Sequence, residues 1–206
     1  GWRPSVAKTF QSAAWLLVGS AMLFPLLAGA DKIRDRMVDG APHTLDGMQY
    51  MIGATYLEHN INTDETMVMQ LEQDYHAIRW MQDNVQGSPV IVEGLVTEYR
   101  WGSRYSINTG LPAVVGWNWH QRQQRAVNPS EWVTGRVAEV DAFYTTSSVE
   151  EALDFIHKYD VEYIIVGQME QAVYPLSGLA KFFEYEGVYW NPVYTYQQTT
   201  IYQVIH

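Results

Sequence analysis

The chain has 206 residues and a mass of 23.6 kDa, room for one domain plus an appendage. A formal net charge of −10 excludes general nucleic-acid binding, which needs a basic footprint. The absence of cysteine excludes disulfides, thiolate metal sites and cysteine nucleophiles, and leaves the redox compartment open.

Ala13 to Ala30 carries no charged residue. As a helix, these residues extend roughly 27 Å, close to the hydrocarbon thickness of a bilayer. Arg3 and Lys8 precede the stretch; Asp31, Lys32, Arg34, Asp35 and Arg36 follow it. Three readings are open: a membrane helix with Trp15 near one interface, a signal peptide cut at Ala28-Gly29-Ala30, or an apolar helix inside the core. Gly19, Pro25 and Gly29 are tolerated in membrane spans and favour the first. The expected boundary lies at residues 37/38, with a polar break over Gly40–His43.

Thr44 is placed to cap a short helix through Leu45, Met48, Met51 and Ile52. Thr63, Asp64 and Glu65 read as the start of a second, whose apolar positions are Met67, Leu71, Tyr75, Ile78 and Met81. Val90 to Val92 is the first strand. A long segment, Ser88 to Arg125, then carries glycines, arginines and aromatics without helical or strand periodicity. Its Tyr99, Trp101, Tyr105, Trp117 and Trp119 argue for an ordered surface loop system. Val137 to Tyr144 reads as a strand. Ser148 with Glu151 marks a helix start ahead of Val149, Leu153, Ile156 and Tyr159. Val161 to Gly167 is a nearly continuous apolar run, as in a buried parallel strand. A helix over Leu179–Tyr185 and edge strands at Val188–Trp190, Val193–Tyr196 and Thr199–Ile205 complete the chain, the last two joined at Gln197-Gln198. The expected fold is α/β: a mainly parallel sheet flanked by helices, a Rossmann-like sandwich, with a C-terminal antiparallel hairpin and a membrane-type N-terminal helix.

No P-loop, GxGxxG, HExxH or GxSxG is present, and the histidines do not cluster. Catalytic and metal-ligating residues are therefore expected to be absent. Glu93 ends the first strand, where open α/β sheets place ligands. It suits a metal, a sugar hydroxyl or a nearby arginine, with an ion pair to Arg100, Arg104 or Arg125 the default. The set Arg100, Arg104, Arg122, Arg125 and Arg136 either grips an anion such as a lipid-linked phosphate or ties the loop to Glu93, Glu98 and Asp141. His120, among Trp117, Trp119, Arg122 and Arg125, is a general base only if a second group orients it. Otherwise it anchors the loop.

The order Glu93-Gly94, Tyr99, Ser103 to Ser106, Thr109-Gly-Leu-Pro112, Gly116-Trp117, His120 and Gln123 to Arg125 resembles the carboxy-terminal part of the YYY (Chlor_Arch_YYY) membrane-protein family. Arg136, Tyr144-Thr145, Tyr159 to Gly167, Glu170, Tyr174 and Lys181-Phe182 extend the match, as do Phe24-Pro25 and Thr44 to Gly47 upstream. The tyrosine-rich motif that names the family is missing here, and Gln171 stands where relatives often have arginine. Family members look like GT-C glycosyltransferases, which use polyprenyl-phosphate sugars on the extracytoplasmic face. The resemblance implies an extracytoplasmic domain cut from a longer membrane protein, inactive alone. The acidic loops that hold a divalent metal in such enzymes are not in this chain, so no cofactor is expected in it. The bilayer, a polyprenyl-phosphate sugar donor and a glycan or protein acceptor are the implied partners. Glu93, Tyr99, Arg100, Arg104, Trp117, His120 and Arg125 are the expected substrate-binding residues, with Arg100→Ala and Arg104→Ala expected to leave the domain folded. A non-catalytic glycan- or partner-binding module is the alternative. A hydrolase built on Glu93 and His120 is a third.

Overall fold

The computed structural model describes residues 3–36 and 42–205, in two compact units, Gly1–His43 and Thr44–His206. The expected boundary at residues 37/38, and Gly40 and Ala41 of the polar break, lie outside the described residues.

The first unit is one helix, α1 (Pro4–Arg36), of 33 residues and about 50 Å at 1.5 Å per residue. It runs through Pro25 without a break. Leu16, Leu17, Phe24 and Leu26 are exposed, and no residue of its most apolar window is buried. That overturns the reading of a core helix. By length and composition α1 can cross a membrane.

The second unit opens with a single 3-10 turn at Gln49–Ile52 and a hairpin, β1 (Thr55–Asn60) with β2 (Glu65–Gln70). The expected helix from Thr63 therefore starts later, as α2 (Leu71–Asn84). Asp64 adopts a left-handed conformation (φ 58°) in the hairpin turn, so Thr63-Asp64 is a strand reversal and not a helix start. After β3 (Val90–Val92), the irregular segment contains two short helices, α3 (Arg104–Thr109) and α4 (Asn118–Gln124). Next come α5 (Glu131–Thr145), α6 (Val149–Tyr159), β4 (Val161–Val166), α7 (Gln168–Val173) and α8 (Leu176–Glu184). The hairpin β5 (Trp190–Tyr196) and β6 (Thr199–Val204) closes the unit, turning at Gln197-Gln198 as expected.

Val137 to Tyr144 is helical, a second correction. Val133, Val140 and Tyr144 are buried with Val137 partly so, a spacing of three and four that puts them on one helix face. The β-branched content of the run is overridden by that period. The sheet is also corrected. Its order is β3-β4-β6-β5; only β3 and β4 are parallel, and β6 runs antiparallel to both of its neighbours. The unit is α/β with a small mixed sheet.

Alternation along the strands builds two cores, one on each face. Val92, Ile164, Tyr202 and Val204 join Phe143, Tyr144, Phe155, Ile156 and Phe182. Ile91, Ile165 and Ile201 join Met51, Leu71, Ile78 and Met81 on the other side. Each fully buried Ile or Met contributes about 1.5–3 kcal/mol, so both faces are substantial. Gly178 lets α8 close on the end of α5: a Cβ there would lie 2.3 Å from the Tyr144 carbonyl oxygen. Lys181, three residues on, donates from Nζ to the Thr146 (3.0 Å) and Gly178 (2.7 Å) carbonyls. It thereby caps the α5 terminus from within the core.

Candidate binding cleft and its ionic floor

The parallel strands β3 and β4 end side by side, and the chemistry gathers beyond those ends. Glu170, at the third position of α7, accepts from the backbone N–H of Gly94 (2.7 Å) just past β3 and of Gly167 (2.8 Å) just past β4. One carboxylate thus ties both strand ends together. Arg104, the first residue of α3, donates from Nη2 and Nη1 to Glu170 (2.9 and 3.2 Å) and from Nε to Asp74 (2.8 Å) in α2. Trp101 Nε1 (2.6 Å) and the Tyr105 hydroxyl (3.1 Å) also donate to Asp74. Asp74, Arg104 and Glu170 are each no more than 2% exposed. Burial opposes the charges of Arg104 and Glu170. The attraction between them prevails, with Asp74 adding its own charge beside Arg104, and holds Glu170 below the ordinary carboxylate range and Arg104 well above its usual value.

Glu93 sits beside this group with a different role. Its oxygens accept from the Tyr105 (2.9 Å) and Ser106 (2.9 Å) amides, the unpaired donors at the start of α3. Burial pushes its carboxyl above the ordinary value despite the nearby Arg104. The expected ion pair of Glu93 with an arginine is thus replaced by a helix-start cap, and no ion pair to Glu93 occurs among the described residues. Glu93 and Arg104 form a floor, closed to solvent.

Next to the floor lies a cleft of about 380 Å³, lined by Leu95, Val96, Glu98, Trp117, Asn118 and Asp141 together with Gly102, Ser103 and Gly116. Gly102 packs so close to Val96 that a Cβ would come within 2.7 Å of its side chain. Tyr99 (φ 65°) and Ser103 (φ 57°) both hold left-handed conformations in the loop that forms the wall. Such backbone strain concentrates at ligand sites. Asp141 is exposed as a residue, but its carboxyl accepts from the Tyr174 hydroxyl (2.9 Å) and is raised by partial burial, only partly offset by that bond. Tyr174 in turn accepts from the Leu95 amide (3.0 Å) and stacks on Tyr144. Glu98 accepts from the Trp119 amide (2.7 Å) at the start of α4 through Oε1. Trp117 Nε1 and Asn118 Oδ1 are buried atoms with no hydrogen-bond partner among the described residues.

The other expected site residues separate. Tyr99 and His120 meet at 2.6 Å through the hydroxyl and Nε2, and both rings pack edge-on or tilted against Trp117, which lines the cleft. Arg100 is exposed on the loop, and Arg125 lines different cavities. Asp74, Glu98, Asn118 and Asp141 complete the arrangement. Asp74 had a signal in the sequence: it falls on the apolar stripe of α2 between Leu71 and Ile78, where an unpaired carboxylate would be costly.

The arrangement defines an α/β domain with a rigid ionic floor beside an aromatic and acidic cleft. No family model matches the chain, and no curated protein matches it. Among solved structures, the C-terminal globular domain of an oligosaccharyltransferase from Archaeoglobus fulgidus is similar, at 14% identity and a TM-score of 0.40, covering 64% of this chain and 96% of that one. A likeness of that size assigns no activity.

Proposed function

We propose that this chain is the membrane-anchored recognition domain of a GT-C-like transferase of lipid-linked sugars, standing on the extracytoplasmic face, and that its cleft holds the sugar or the hydroxyl-rich acceptor and does no chemistry by itself. The lining of the cleft carries this reading. Trp117 offers a ring face, Asn118, Glu98 and Asp141 offer acceptors, and Leu95, Val96 and Val137 offer apolar wall. No lysine, arginine or histidine is among those residues, so the cleft suits neutral hydroxyls and not a phosphate. The all-round apolar α1 supports the anchor, and the motif order from Glu93 to Arg125 supports the transferase context.

The test titrates the full chain, in nanodiscs, with neutral oligosaccharides while tryptophan fluorescence is followed. Saturable binding that Trp117→Ala weakens by about tenfold or more is expected. Absence of saturation, or equal affinity in the variant, overturns the reading. A polyprenyl-phosphate sugar should bind better than the free sugar. If the lipid carrier makes no difference, the glycan-binding module is the better description.

A further inference from the structure

A second cavity, of about 430 Å³, opens between the end of α4 and the face of α5, and Arg125, Arg136 and Lys158 all line it. Of the chain's 13 lysines and arginines, Arg3, Lys8, Lys32, Arg34 and Arg36 belong to α1 or its flank, which leaves eight. Three of those eight converge here, in a protein whose net charge is −10. Elsewhere in this unit two cations are paired with acids, Arg79 with Asp46 and Arg104 with Asp74 and Glu170, while Lys181 is spent on backbone carbonyls. Arg125 is exposed, and its guanidinium has no carboxylate partner among the described residues. Arg136 spends one nitrogen on the Val114 carbonyl (3.1 Å) and lies against the Tyr159 ring. A smaller cavity of about 50 Å³ beside it shares Arg125, Arg136 and Trp132. Two acids also line the larger cavity. Glu139 is occupied, accepting from Lys158 Nζ (2.7 and 2.8 Å) and the Tyr159 hydroxyl (2.8 Å). Glu131 makes no ion pair among the described residues, and three cations against two acids leave the lining one positive charge in excess.

We propose that the Arg125–Arg136 cavity binds a phosphate or diphosphate group, either free or borne on a lipid. Two guanidinium forks suit phosphate oxygens in pairs, and a carboxylate ligand would offer fewer of them. Trp132, which lines the cavity, is 61% exposed, and Val127 at the α4–α5 turn is 96% exposed. An indole and an aliphatic side chain beside paired arginines suit a headgroup at the edge of acyl chains. The cavity shares no lining residue with the cleft, so this proposal stands independently of the sugar reading.

Inorganic pyrophosphate is the probe. The full chain is placed in nanodiscs of neutral phosphatidylcholine at near-physiological salt, and binding is followed by calorimetry. Saturable binding is expected, weakened about tenfold or more by Arg125→Gln, with Arg136→Gln as the second variant. Arg125→Gln should melt like the parent because that exposed side chain makes no ion pair among the described residues. Arg79→Gln, on a different surface, should bind as the parent does. No saturation, equal binding by Arg125→Gln, or an equal loss in Arg79→Gln overturns the proposal. Nanodiscs containing phosphatidylglycerol separate the two sources: weaker apparent pyrophosphate binding assigns the site to lipid headgroups, and unchanged binding assigns it to a soluble phosphate. A sugar titration that fails while pyrophosphate binds removes the cleft reading alone.

Discussion

Replacing Arg104 by methionine tests the floor of the cleft. The substitution keeps much of the side-chain volume and removes the only cation that touches Asp74 and Glu170 in this buried group, along with bonds of 2.8, 2.9 and 3.2 Å. Deleting one partner of a buried ion pair costs about 3–5 kcal/mol. Here Asp74 keeps the Trp101 and Tyr105 donors, and Glu170 keeps the Gly94 and Gly167 amides. The lower part of that range, about 3–4 kcal/mol, is therefore expected. In a unit of this size each kcal/mol moves the melting temperature by about 2–4 °C, so the loss should be near 10 °C. The pH dependence sharpens the test. Glu170 is held below its ordinary value, so its contribution is present above that value and is lost as pH falls through the folded one. Without Arg104 that contribution is missing already at neutral pH. The gap between parent and variant should accordingly narrow as the solution is acidified. Circular dichroism melts of the full chain at neutral pH and at acid pH below the ordinary carboxylate value measure both. A loss below about 2 °C at neutral pH, or a gap indifferent to pH, would refute the reasoning. The predicted loss runs against the expectation that Arg104→Ala leaves the domain folded.

Lys181 is predicted to make the protein more stable in mild alkali. Burial lowers its ammonium from 10.5 to about 7, so between those values the unfolded chain binds the extra proton and stability rises with pH. The slope is at most about 1.4 kcal/mol per pH unit; Lys181→Met should flatten it in urea titrations from neutral to about pH 9, and an identical rise in both proteins would refute the assignment. Gly178→Ala drives a methyl into the Tyr144 and Thr145 carbonyls at 2.3 and 2.4 Å. A loss of about 1–3 kcal/mol by the same titration is expected, and a neutral result would mean α8 can move away from α5. Trp117→Ala should reduce sugar binding, and Arg125→Gln should reduce pyrophosphate binding, each without lowering the melting temperature by more than a few degrees.

Where one physical signal dominated, the sequence was readable. The uncharged run of α1, the apolar β4 and the Gln197-Gln198 reversal were each visible. So was the Ser148 cap, whose hydroxyl accepts from the Glu151 amide at 3.2 Å. Where two signals competed, the weaker was followed: β-branched residues hid the helical spacing of Val133, Val137, Val140 and Tyr144, and Thr63-Asp64-Glu65 looked like a cap while serving a turn. The sheet's mixed direction was not legible, because it depends on where β6 inserts and not on any strand's own composition. The cleft was half visible. Trp117 and His120 were read as neighbours and do pack together, with Tyr99 against both, but only Trp117 lines the cleft. Asp74 and Glu170 come from helices far along the chain, and nothing local pairs them with Arg104.

That distance has a consequence for assembly. Arg104 and Glu170 are 66 positions apart, and Gly94 and Glu170 are 76. Half-built intermediates must therefore keep these charges hydrated, since shutting any of them away early strands it in a dry interior. The last dehydration step can succeed only when α2, α3 and α7 arrive together. The ionic floor then serves as an inspection point in folding, and chains cut anywhere between Asp74 and Glu170 should fail it.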